Sequence, residues 1–142
     1  NPTSTPKFGM ATASIATFVL KAICPYTNTH VDAVDIDDWA DANCRENIAS
    51  NGVADRIEPM LGDVRRIAGR HYGFILANIN RNILLIYMKQ YVACLHPGAE
   101  LYMSGFYVDD IPVIREEAER NGLNFVHSKE KNRWATVKLI MG

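Results

Sequence analysis

The chain has 142 residues, 48% of them apolar and 22% charged, which is enough for one domain with a sizeable core. Its net charge of -1 excludes a broad electrostatic attraction to nucleic acid or to an anionic membrane, and no apolar run approaches the length of a membrane span. The opening Asn1-Pro2-Thr3-Ser4-Thr5-Pro6-Lys7 is not a signal peptide and has no initiator Met, so the chain is expected to be a processed or trimmed piece of something longer.

Ala11 to Cys24 has the apolar spacing of a helix, with Ile15, Phe18, Val19, Ala22 and Ile23 on one face. Pro25 to Thr29 breaks it. His30 to Ile36 reads as a strand, and Asp37 or Asp38 can cap the helix that follows to about Ala49. Asn51-Gly52 suits a left-handed helix end. Arg56 to Leu61 is extended, and Pro59 marks it as an irregular or edge strand. After Gly62-Asp63-Val64 comes a weak helical segment. Tyr72 to Ile79 is the next strand, and Asn82 to Leu95 a helix stopped by His96-Pro97-Gly98. Glu100 to Phe106 is a strand. Asp109 to Arg120 is a helix closed by Asn121-Gly122. Leu123 to Ser128 and Arg133 to Met141 are successive strands joined by a loop, Lys129-Glu130-Lys131-Asn132.

This alternation predicts an α/β fold: a Rossmann-like, doubly wound, mostly parallel sheet with an antiparallel C-terminal hairpin. One domain is expected over residues 1–142, its N-terminal part incomplete or degenerate. Cys24, Cys44 and Cys94 are odd in number, widely spaced and without a C-x-x-C pair. They read as reduced, buried thiols of a cytoplasmic protein. The four histidines share no ligand spacing with them, so no metal site is expected.

In Ala77-Asn78-Ile79-Asn80-Arg81-Asn82-Ile83-Leu84, two asparagines stand where a strand ends and a helix begins. Ligands of open α/β sheets bind at such carboxyl ends, and an amide carries donor and acceptor on one plane. Turn or cap duty is the competing reading. Asp35 closes its strand, where a carboxylate can accept from both ribose hydroxyls. Asp63, in Gly62-Asp63, closes the next extended piece and can accept from an adenine amino group. Trp39 reads as packing and Trp134 as core. Arg65, Arg66 and Arg70 read as a solvated face rather than an RNA site.

In order, Val-Asp-Ile-Asp, Glu-Asn-Ile-x-x-Asn-Gly-Val, Gly-Asp, Ala-Asn-Ile-Asn-Arg-Asn-Ile-Leu, Leu-x-Pro-Gly and Ser-Gly-Phe resemble a class I S-adenosylmethionine-dependent methyltransferase. More narrowly, they resemble the family that methylates the stalk-base protein of the large ribosomal subunit, ribosomal protein L11. The likeness runs from about Val31 to the C-terminus, and is most specific over residues 77–84 and 102–108. It implies S-adenosylmethionine as cofactor, held by Gly9, Asp35, Ile36, Gly62, Asp63 and Asn78. It implies Asn78 as the catalytic residue near the acceptor amine, with Asn80, Ser104 and Gly105 on the substrate side. The implied activity is N-methylation of lysine or N-terminal amines of a ribosomal protein, in the cytoplasm, with no membrane and no direct nucleic-acid binding.

One motif departs from the family. Its acidic strand end and Gly-x-Gly-x-Gly loop let backbone amides approach the methionine part of the cofactor. Here the candidate, Lys7-Phe8-Gly9-Met10-Ala11-Thr12-Ala13-Ser14, keeps only Gly9. Lys7 stands at the acid, and Ala11 and Ala13 at the later glycines. The cradle is expected to be damaged, absent or rebuilt. A non-catalytic relative, or a catalytic-domain fragment that binds cofactor weakly or not at all, therefore stays open beside the enzyme.

Overall fold

The computed structural model describes residues 7–13, 15–16 and 29–142. Cys24, most of the helix expected before it and the break at residues 25–28 lie outside them. The chain falls into two compact units, residues 1–66 and 67–142.

In the first unit, β1 (Lys7–Thr12), β2 (Thr29–Asp35) and β3 (Ile57–Leu61) lie parallel, with β2 between the other two. The register runs from Lys7↔Thr29 to Thr12↔Val34, and from Val31↔Ile57 to Asp35↔Leu61. β1 corrects the sequence reading at two points. Ala11 and Thr12 are strand rather than helix, and Gly9 lies inside the strand rather than on a loop. Helix α1 (Asp38–Asn51) follows β2. Asp37 is its N-cap, accepting from the Trp39 N–H, and Gly52 closes it at φ 65°. Its inward stripe is Asp41, Cys44 and Ile48. Pro59 lies on β3, an edge strand, where its missing N–H does least harm. A single 3₁₀ turn, Val64–Ile67, follows.

In the second unit the strand order is β4 (Tyr72–Asn78), β5 (Leu95–Tyr107), β7 (Trp134–Met141), β6 (Leu123–Lys131). β4 and β5 are parallel, and the last two strands are antiparallel to their neighbours. Helix α2 (Arg81–Ala93) buries Leu84, Met88 and Tyr91, and α3 (Ile111–Arg120) buries Ile114 and Ala118. Both stripes have helical spacing. Each large apolar side chain taken from water contributes roughly 1.5–3 kcal/mol. Cys44 and Cys94 are free and buried. Burial is the main cause raising both thiols above their ordinary pKa.

Two expectations change here. His96-Pro97-Gly98 does not precede β5 but lies within it, as an irregularity with Gly98 at φ 81°. The final hairpin is tighter than a four-residue loop: Lys131 pairs with Trp134, and only Asn132 and Arg133, at φ 53° and 71°, make the turn. Two successive positive φ values identify a type I′ turn, whose twist suits a hairpin. No helix among the described residues is long and apolar enough to cross a membrane.

Candidate functional site

Asp35 is the last residue of β2, as its apolar run implies. Its Oδ1 accepts from the Asp37 N–H at 3.0 Å, and its Oδ2 takes no hydrogen bond from the described residues. Beside it stand Ile36 and Trp39, apolar yet 72% and 76% exposed. Leu61, in register with Asp35, is exposed too. An acceptor oxygen flanked by open apolar surface fits the ribose and base of a nucleoside. Gly62 leaves β3 at φ 150° and its N–H donates to the Asp35 carbonyl oxygen at 2.8 Å.

Asp63 is more committed than its sequence position implies. The Arg65 guanidinium reaches both its carboxylate oxygens at 2.7–3.0 Å, and the Arg65 N–H donates at 2.9 Å. Chiefly through the side-chain hydrogen bond, Arg65 holds the Asp63 carboxyl below its ordinary pKa. The Asp-x-Arg spacing was the available signal for this pair. An adenine amino group at Asp63 would share an oxygen with Arg65.

The methionine end of a cofactor is served less well. Gly9 pairs with Val31, four residues before Asp35, so it lies about 13 Å short of the level of Asp35. Ala11, Ala13 and Ala16 are buried, and the sequence has no glycine between Gly9 and Gly52. The groups at the ends of β2 and β3 have the chemistry to hold the adenosine of S-adenosylmethionine, whereas β1 supplies no glycine cradle for its methionine part.

In the second unit Asn78, Ser104 and Gly105 come together at the end of β4 and β5. Asn78 is the last residue of β4 and pairs in register with Ser104. The Ser104 hydroxyl donates to Asn78 Oδ1 at 3.1 Å. Gly105 is the extra residue of a bulge between the pairs Ser104↔Thr136 and Phe106↔Ala135. Its φ is 96°, and a Cβ there would lie 2.9 Å from the Ile79 carbonyl oxygen and 3.0 Å from Asn78 Oδ1. Only glycine fits. Asn80 is the N-cap of α2, its Oδ1 accepting from the Ile83 N–H at 3.0 Å. The competing cap reading therefore holds for Asn80.

A cleft of about 680 Å³ reaches Asn78, Ser104 and Gly105, with Lys129, Glu130 and Trp134 along its other side. A second, of about 420 Å³, has Asn80, Gly105, Tyr107, Asp110 and Trp134 on its walls. Trp134 corrects the core reading: it is 51% exposed and stacks on Tyr107 with ring centroids 4.3 Å apart. Ion pairs Arg81–Asp110 and Arg133–Asp109 hold the turn after β5. Sequence reasoning missed this aromatic pair because its partners lie 27 residues apart and meet only through the β5–β7 register.

Over 107 residues the chain is 64% identical to a ribosomal protein L11 methyltransferase of Bacteroides thetaiotaomicron, covering 75% of this chain and 38% of that protein. Over 110 residues it is 59% identical to that of Bacteroides fragilis, covering 77% and 39%. The chain thus spans about two fifths of the length of these relatives. Among solved structures, a ribosomal protein L11 methylase of Lactobacillus delbrueckii subsp. bulgaricus superposes with a TM-score of 0.83 at 21% identity, covering 96% of this chain and 70% of that one. An O-methyltransferase of Bacillus cereus, in complex with SAH, gives 0.75 at 12% identity, covering 96% and 74%. The fold is the Rossmann-like, mostly parallel methyltransferase sheet with antiparallel C-terminal strands. Residues 10–140 match the family described as Ribosomal protein L11 methyltransferase (PrmA), and the chain belongs to that family.

Proposed function

We propose that this chain is the methyl-transfer part of a protein N-methyltransferase that uses S-adenosylmethionine and acts on lysine or N-terminal amines of ribosomal protein L11, the stalk-base protein of the large ribosomal subunit. Such a substrate sets the work in the cytoplasm, with contact to protein rather than to membrane or bare nucleic acid. Asp35, Ile36, Gly62 and Asp63 would hold the adenosine side. Asn78 would meet the acceptor nitrogen, with Asn80, Ser104 and Gly105 on the substrate side. The observation that carries the reading is the Asn78 amide, fixed at a strand end within a chain that belongs to this family.

The sulfonium of S-adenosylmethionine supplies an already activated methyl group. The chain's own task is to orient the acceptor nitrogen and bring it up in its neutral form. The Asn78 carbonyl oxygen, an acceptor on a rigid strand end, can hold an amine N–H and so aim the lone pair. No side-chain nucleophile is needed.

Single-turnover methyl transfer to purified ribosomal protein L11 tests this, with thermal unfolding on the same samples. Asn78→Ala should lower the rate by about a hundredfold, the order of a lost alignment, and barely move cofactor affinity. A lower Tm with an unchanged rate per folded molecule would reduce Asn78 to a turn residue. A wild type inactive at saturating cofactor would favour the second reading: a fragment or non-catalytic relative. The glycine-free end of β1 speaks for that reading.

A further inference from the structure

We propose that Ser104 is a positioning residue: its hydroxyl, with the missing Cβ of Gly105, sets the orientation in which the Asn78 amide meets the acceptor nitrogen. This rests on the methyl-transfer reading. An asparagine side chain has three staggered χ1 wells and a broad, roughly two-fold χ2. A strand end alone leaves both its direction and its exposed edge open. Here one dipeptide acts on both. Ser104 is the in-register partner of Asn78, and its hydroxyl lies 3.1 Å from Oδ1. Gly105 brings its backbone so close to the same oxygen that a Cβ would stand 3.0 Å from it.

The bulge brings this about. Were β5 to continue against β7 without an extra residue, Gly105 would take an ordinary ladder position and its successors would change face. Instead the strand bends at Gly105, and the Ile79 N–H donates to the Ser104 carbonyl oxygen at 3.1 Å. The chain leaving Asn78 is thereby fastened to β5 as well. Ser104 is half-buried and outside the apolar core, so packing does not demand a hydroxyl there. What the hydroxyl does is hold one oxygen of one amide.

Ser104→Ala, Ser104→Thr, Asn78→Ala and the Ser104→Ala/Asn78→Ala double variant of the full chain test this, with ribosomal protein L11 as acceptor. Ser104→Ala should lower kcat about fivefold, the size of one lost neutral hydrogen bond, with KM for S-adenosylmethionine unchanged. Ser104→Thr, which keeps the hydroxyl, should restore it. The double variant should be no slower than Asn78→Ala alone, because both act through one group. The side-chain NH2 signals of Asn78, identified by their loss in Asn78→Ala, should shift in Ser104→Ala and not in Ser104→Thr. An unchanged kcat in Ser104→Ala, effects that multiply in the double variant, or unmoved NH2 signals would each overturn the proposal. If the wild type transfers no methyl, the functional reading fails, and the NH2 signals alone decide whether Ser104 orients Asn78.

Discussion

The backbone N–H of Gly62 donates to the Asp35 carbonyl oxygen at 2.8 Å, so the chain leaving β3 is fastened to the last residue of β2. The two acidic strand ends are therefore set against each other by backbone, before any side chain acts. Gly62 achieves this at φ 150°, and a Cβ there would fall 2.4 Å from Arg66 Cγ. Gly62→Ala should cost about 1–3 kcal/mol through its backbone conformation and lower Tm by several degrees. The arginine is flexible and can move away. Adding Arg66→Ala should therefore recover little of the loss in a thermal melt. Full recovery would locate the cost in the contact and not in φ.

Asp63 gives a pH prediction. Arg65 lowers its carboxyl pKa in the folded chain. For a depressed carboxylate, the stabilisation is present above the unfolded value and is lost as pH falls through the folded value. Asp63 should thus stay ionised to lower pH than an ordinary aspartate, and a carboxyl ¹³C titration should give it a midpoint below the ordinary aspartate value. Arg65→Ala should bring the midpoint up. A wild-type midpoint at the ordinary value would show that the pair is not kept in solution, as holds for many exposed ion pairs.

The hairpin turn holds an arginine where glycine belongs. Arg133 sits at φ 71° as the second residue of the type I′ turn, and an ordinary side chain there costs about 1–2 kcal/mol. Its ion pair with Asp109 joins two side chains 68% and 70% exposed, and such a pair returns at most ~1 kcal/mol. Arg133→Gly should therefore raise Tm by a few degrees in a differential scan. A lower Tm would mean that the Asp109 pair outweighs the turn.

What the sequence disclosed follows from how local each signal is. β2, α1, β4 and α2 were legible because an apolar period and a cap residue stand side by side in each, and Asp35 and Asn78 came with them as strand ends. β1 was not. Its six residues include a glycine and run straight into a helix-like apolar pattern, so only pairing with β2, 17 residues downstream across the intervening segment, makes them a strand. Asn132-Arg133 was read too long because arginine is no turn former. The Ser104 hydroxyl, the Gly105 bulge and the Tyr107–Trp134 stack all depend on the register of β5, which no local window carries.

In the family, glycines let backbone amides come up to the methionine part of S-adenosylmethionine. Here Ala11 and Ala13 are buried and Gly9 is locked inside β1. Any rearrangement that opened a cradle would have to move packed methyl groups, at about 1–3 kcal/mol each. That is roughly tenfold to a hundredfold in affinity. Calorimetry with S-adenosylmethionine and with its demethylated product should give Kd values weaker by that factor than those of a relative with the full glycine loop. Asp35→Ala should weaken what remains, because the Oδ2 acceptor would be lost. Low-micromolar or tighter binding would show that the cradle has been rebuilt, and would leave Asp35→Ala to tell whether the adenosine side still carries it.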